Sequence, residues 1–147
     1  EKRVEQINYI YWKNFSEASL MPYLAMSQVF TRITLGTPFI FRPVVRLIFK
    51  KVNTGFLHKN LKSEMQIIEQ HLSTHAFFAG DTFTGADILM EFMLSALSSR
   101  FFTLASHPHT SEYFLRIKQR PAYIEATKKG SWSEDEFNQY WRHLKNS

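Results

Sequence analysis

The sequence predicts an all-α fold, a helical bundle in one domain, and three observations predict it. Apolar residues recur at three- and four-residue intervals along most of the chain, as on one face of a helix. No stretch alternates apolar and polar residues as a half-buried strand does, and there is no internal repeat or low-complexity segment. Between Ala86 and Leu97 only Asp87, Glu91 and Ser95 are polar, so a helix there is apolar around most of its circumference and belongs inside a bundle.

The elements follow in order. Val4, Ile7, Ile10, Tyr11, Phe15, Ala18, Met21, Leu24 and Val29 keep helical spacing, which predicts one long helix from Val4 to about Ile33. Pro22 lacks an amide donor and crowds the preceding turn, so a bend is expected there. Leu35-Gly36-Thr37-Pro38 is turn chemistry, and Pro43 suits the first turn of a second helix running to Val52. Asn53-Thr54-Gly55 is expected to interrupt it. Leu61, Met65, Ile68 and Leu72 form the core face of a third stretch, with Lys62, Glu64, Glu69 and Gln70 mostly outside it.

Phe77 to Thr82 reads as a short loop with a Gly-Asp turn, leading into the apolar helix. That helix has a specified start. Thr84 can cap the first free amides, Asp87 can reach back to the Thr84 amide, and Phe83 can staple onto Ile88. His107-Pro108-His109-Thr110 breaks the pattern, Tyr113, Phe114 and Ile117 mark another helix, and Pro121 opens one more that Gly130 stops. A last amphipathic helix is expected at about 133–145, with a capping box at Ser133 and Glu136 and a stripe of Phe137, Tyr140, Trp141 and Leu144.

At 147 residues and 44% hydrophobic content the chain can bury a core without metals or disulfides, so residues 1–147 read as one domain. Cysteine is absent, which excludes a disulfide framework, a thiolate metal site and a cysteine nucleophile within these residues. No apolar run approaches the roughly 20 residues of a membrane span, so no membrane partner is expected, and the lack of cysteine is compatible with a cytoplasmic setting. The net charge is +5, but no zinc-finger spacing, RNP-type motif or glycine-rich phosphate loop accompanies it, so no nucleic-acid partner is expected either. The chain opens Glu1-Lys2-Arg3-Val4, without methionine and already in helical pattern, which reads as a piece of something longer.

Three motifs share a resemblance. Phe78-Ala79-Gly80-Asp81-Thr82-Phe83-Thr84-Gly85-Ala86-Asp87-Ile88 resembles the loop and capping box that introduce the central helix of the glutathione transferase C-terminal domain. Tyr11 to Pro22 resembles the first helix of that domain in a subgroup found in fungi and bacteria, and Leu115 to Tyr123 its late helix-turn-helix. The three occur in the family's order. The resemblance implies a helical half of an enzyme whose thioredoxin-like N-terminal domain, which holds glutathione and activates its thiol, is not in this chain.

The same resemblance implies glutathione as the parent's substrate with no further cofactor, a hydrophobic electrophile as co-substrate, and a homodimer. No catalytic residue is then expected in this chain, which alone would be inactive. The implied lining of the co-substrate pocket comes from the first helix and the tail: Tyr11, Trp12, Phe15, Ser16, Ser19 and Trp141. Against this, Trp12 and Phe15 suit an ordinary core, and the tail stripe of Phe137, Tyr140 and Trp141 could be a lid, a seat for the absent domain or a cap on the bundle. A non-catalytic binding or scaffold protein built on the same bundle is the alternative.

Other residues have plainer readings. Asp87 has a structural task in the box. His71 and His75 have the spacing of a two-histidine metal face, but no acidic residue follows the first and no third ligand is evident, so no metal is expected. No serine sits in a Gly-x-Ser-x-Gly turn. Arg42, Arg46, Lys50 and Lys51 fall near one helical stripe and read as a solvated face.

Overall fold

A computed structural model describes residues 2–131, 133 and 135–140. Seven α-helices carry the bundle, and no strand occurs among the described residues. They are α1 (Lys2–Phe15), α2 (Met21–Gly36), α3 (Arg42–Val52), α4 (His58–Leu72), α5 (Gly85–Ser98), α6 (Pro108–Lys118) and α7 (Pro121–Lys129). Residues 135–140 are helical as well, and the Ser133 hydroxyl accepts the Glu136 amide. The rest of the expected tail helix, with Trp141, lies outside the described residues.

The long first helix is realised as α1 and α2 joined by a π turn over Ser16–Leu20. There the Met21 amide reaches the Ser16 carbonyl, five residues back. The physical reason follows in the chain. Pro22 offers no amide and its ring crowds the carbonyl four residues earlier, and a widened turn relieves that crowding without breaking the helix.

The expected interruption at Asn53-Thr54-Gly55 does not occur. A second π turn, Asn53–Leu57, carries α3 directly into α4, with the His58 amide on the Asn53 carbonyl. The extra residue changes the phase of the buried face. Four residues after half-buried Val52 comes Phe56, which is 54% exposed, whereas Leu57 is fully buried and starts the row of Leu61, Met65, Ile68 and Leu72. None of α3 is buried, and all of the core side of α4 is.

The core runs through Trp12, Leu20, Leu24, Leu57, Ile68, Phe78, Met90, Leu94, Leu97 and Tyr113. Helix α5 packs chiefly against α1 and also meets α2, while α4 packs on α6. Ala86, Met90, Met93, Leu94, Ala96 and Leu97 of α5 are buried, but Ile88 and Phe92 face outward. The helix is therefore sunk on a wide face and not enclosed all round.

Candidate functional site

Asp87 is fully buried at the first turn of α5. Its Oδ2 accepts the Thr84 amide at 2.7 Å and the Thr84 hydroxyl at 3.0 Å, closing the capping box, and its Oδ1 accepts the Phe78 amide at 2.9 Å. Tyr113 of α6, also fully buried, donates its hydroxyl to the Asp87 carbonyl at 3.1 Å. Burial, and then the neighbouring Asp87, push the Tyr113 hydroxyl well above its usual pKa, so it stays a donor. A carboxylate whose oxygens are saturated by such donors, with no access to solvent, is a structural knot and not a base.

The loop before the box is shaped for this. Phe77 and Gly80 exchange both backbone hydrogen bonds, and Gly80 takes φ +147°, which a side chain would strain. Phe83, expected to staple onto Ile88, has its ring 3.4 Å beneath the Arg120 guanidinium and edge-on to Phe77, while Ile88 is 60% exposed. That partner lies at the α6–α7 corner, beyond the reach of local spacing.

The residues picked on the first helix divide between two sides. Trp12 is buried in an aromatic nest, its ring centroid 4.8 Å from Phe78, 4.6 Å from His71 and 5.0 Å from Phe15. Ser16 is also buried, and its hydroxyl donates to the Lys13 carbonyl at 2.7 Å. Tyr11 and Ser19, in contrast, come together with Phe15, itself buried, on an open depression of about 690 Å3, lined also by Ile7, Ile10 and, from α4, Ile67 and Glu64. It is a largely apolar wall with a few polar groups at its margin, suited to an apolar ring and lacking a nucleophile paired with a base.

Two acidic residues of α4 depart from the expected solvated face. Glu64 is half-buried beside this depression; burial raises its pKa, and burial and then Glu64 raise that of Tyr23. Glu69 crosses to α6, accepting the His109 and Thr110 amides at 2.6 and 3.1 Å and the Thr110 hydroxyl at 2.7 Å. Neither has a signal in its neighbours, since each stands beside a core residue, Met65 or Ile68.

A smaller cavity of about 260 Å3 lies between α5, α6, α7 and residues 135–140, lined by Glu91, Ser95, Ser99, Lys118, Tyr123 and Phe137 among others. Phe137 meets Phe92 of α5 edge-on at 5.7 Å, and the Ser99 hydroxyl donates to Asn138 Oδ1. Phe137 thus both contacts α5 and lines this cavity, while Tyr140 is 55% exposed. Farther off, the His71 and His75 rings stack at 4.3 Å; His71 Nε2 faces the Phe78 carbonyl and His75 Nδ1 the His71 carbonyl. Burial, and then His75, push His71 below its usual pKa. Among the described residues no group of three or more potential metal ligands occurs.

The chain matches known proteins over the same elements. Residues 56–121, from the second π turn through α4, the capping box, α5 and α6, match the family model of the glutathione S-transferase C-terminal domain. Glutathione S-transferase 3 of Schizosaccharomyces pombe is 31% identical over 129 residues, which are 88% of this chain and 53% of the relative. The chain thus spans about half the length of that relative. No solved structure gives a significant match. The Asp87 knot and the helices it ties lie inside the matched span, and that span is similar to the all-α C-terminal domain of glutathione S-transferases.

Proposed function

We propose that the protein to which this domain belongs conjugates reduced glutathione to hydrophobic electrophiles, and that this domain supplies apolar contacts to the electrophile and part of a homodimer contact. The observation that carries the reading is the family match across residues 56–121. The depression lined by Tyr11, Phe15 and Ser19 supports the co-substrate role, being apolar, open and free of catalytic groups. Trp12 and Ser16 support the wall from behind. The chemistry is attack of the glutathione thiolate sulfur on the electrophilic carbon, and the groups that lower the thiol pKa belong to the glutathione-holding domain.

The test uses the full-length protein with glutathione and an aryl chloride. Thioether formation with release of chloride is expected, and Tyr11→Ala is expected to raise KM for the aryl chloride about fivefold, the worth of about 1 kcal/mol of apolar contact, with KM for glutathione unchanged. The chain of residues 1–147 alone is expected to be inactive. Glutathione binding without turnover of any electrophile would instead favour the non-catalytic scaffold.

A further inference from the structure

The hairpin of α2 and α3 plays no part in that site. From Ala18 to Ser63 the chain carries seven basic residues and not one aspartate or glutamate. At its tip, where the Phe41 amide closes a turn on the Pro38 carbonyl, three consecutive bulky residues stand in the open: Phe39 at 76% exposure, with Ile40 and Phe41 close behind. Helix α3 turns Arg42, Val45, Phe49 and Val52 toward the bundle, each half-buried. Arg42 bonds back to the Thr37 and Leu35 carbonyls at the end of α2, and Phe49 stacks on Phe30 at 4.4 Å. Its outer surface is left with an apolar stripe of Val44, Leu47 and Ile48, more than half exposed, beside the exposed cations Arg46, Lys50 and Lys51.

We propose that this hairpin face is a docking surface for an anionic lipid bilayer, on which the protein lies peripherally. Bulky apolar side chains at a protruding turn, continued by an amphipathic helix with lysine and arginine alongside, match the boundary between headgroups and acyl chains. The apolar residues enter that boundary and the cations stay with the phosphates. Charge selects this occupant over a second copy of the chain. A two-fold interface over the face would set one copy's Arg46, Lys50 and Lys51 against the other's with no acid between Ala18 and Ser63 to offset them. It also selects anionic over neutral lipid. The lack of a span argues only against a transmembrane helix, and no helix among the described residues is long and apolar enough to cross a membrane. A peripheral surface needs none.

The experiment is flotation of the full-length protein with vesicles of phosphatidylcholine alone, or of phosphatidylcholine with about one-third phosphatidylserine, at low and high salt. Binding is expected to the anionic vesicles, to weaken as salt rises, and to be slight with neutral ones. The pair Lys50→Glu and Lys51→Glu should lower the partition coefficient at least about tenfold, and Phe39→Ser with Phe41→Ser should do so by about as much. Both pairs lie on the exposed surface, and circular dichroism checks that each variant keeps its helix content. No binding to anionic vesicles, equal binding to neutral ones, or partition unchanged by the charge reversal would overturn the proposal. Binding to polyglutamate without binding to vesicles would overturn it in favour of an acidic protein. Conversion of a dimer to monomer by the Phe39 and Phe41 pair, with vesicle binding intact, would assign the face to a second copy.

Discussion

At the start of α5 the capping carboxylate is Asp87, inside the helix and three residues from the Thr84 amide it accepts. At the start of α6 it is Glu69, on α4 and 40 residues before the His109 amide it accepts. Both satisfy amides that a helix start leaves open, and both place negative charge at the positive end of the helix dipole. The local arrangement needs only residues three places apart in the chain. The remote one forms only once α4 and α6 are side by side, so it reports on their docking and holds it. The two converge on one place, because the end of α4 also contacts the loop that Asp87 holds: His71 Nε2 meets the Phe78 carbonyl, and the Arg116 guanidinium of α6 donates to the Ala76 carbonyl.

The comparison can be broken by substitutions, beginning with the largest effect. Asp87→Ala leaves the Phe78 and Thr84 amides without their acceptor and is expected to cost about 3–5 kcal/mol in urea unfolding. A loss below about 1 kcal/mol would show that water or a neighbour replaces the carboxylate and that no knot exists. Glu69→Ala is expected to cost about 2 kcal/mol, and in a double-mutant cycle with Thr110→Val the two losses should fall short of additive. Additive losses would mean that the Glu69 contact is incidental.

Smaller effects sharpen the difference. Gly80→Ala imposes a side chain on φ +147° and is expected to cost about 1–2 kcal/mol, through the loop that feeds the local cap only. The smallest effect is on pH. Since the folded-state pKa of His71 lies below its usual 6.5, the unfolded chain takes up more protons. Stability is therefore fully present above pH 6.5 and is lost as pH falls from there through the folded value. Thermal unfolding between pH 7.5 and 5.5 should show this fall, and His71→Gln should flatten it. An unchanged slope in the variant would remove His71 from the junction.

Legibility in the sequence follows the same division. The Thr84–Asp87 box, the apolar face of α5 and the proline at the head of α7 depend on residues a few places apart, and each stands where local spacing predicts it. The two π turns do not announce themselves, because an extra residue in a helix has no composition of its own; only the switch from exposed Phe56 to buried Leu57 reveals one. On the first helix, Tyr11, Trp12, Phe15, Ser16 and Ser19 look alike as candidates. A helix of 3.6 residues per turn then sends Trp12 and Ser16 inward and leaves Tyr11 and Ser19 on the open depression. Arg42 reads as one of four surface cations and is found closing the end of α2.

By itself the sequence determined the all-α class, the ordered motifs that resemble a glutathione transferase C-terminal domain and the local cap of α5. Hydrogen bonds and apolar contacts between residues three or four apart are properties of a single helix turn. Only the tertiary structure decided that Glu69 caps α6, that Phe83 lies beneath Arg120, and that the basic, apolar outer face of α3 is left uncovered. Those outcomes depend on which helices come within a few ångströms of one another, and that is settled by burial of the whole core at once.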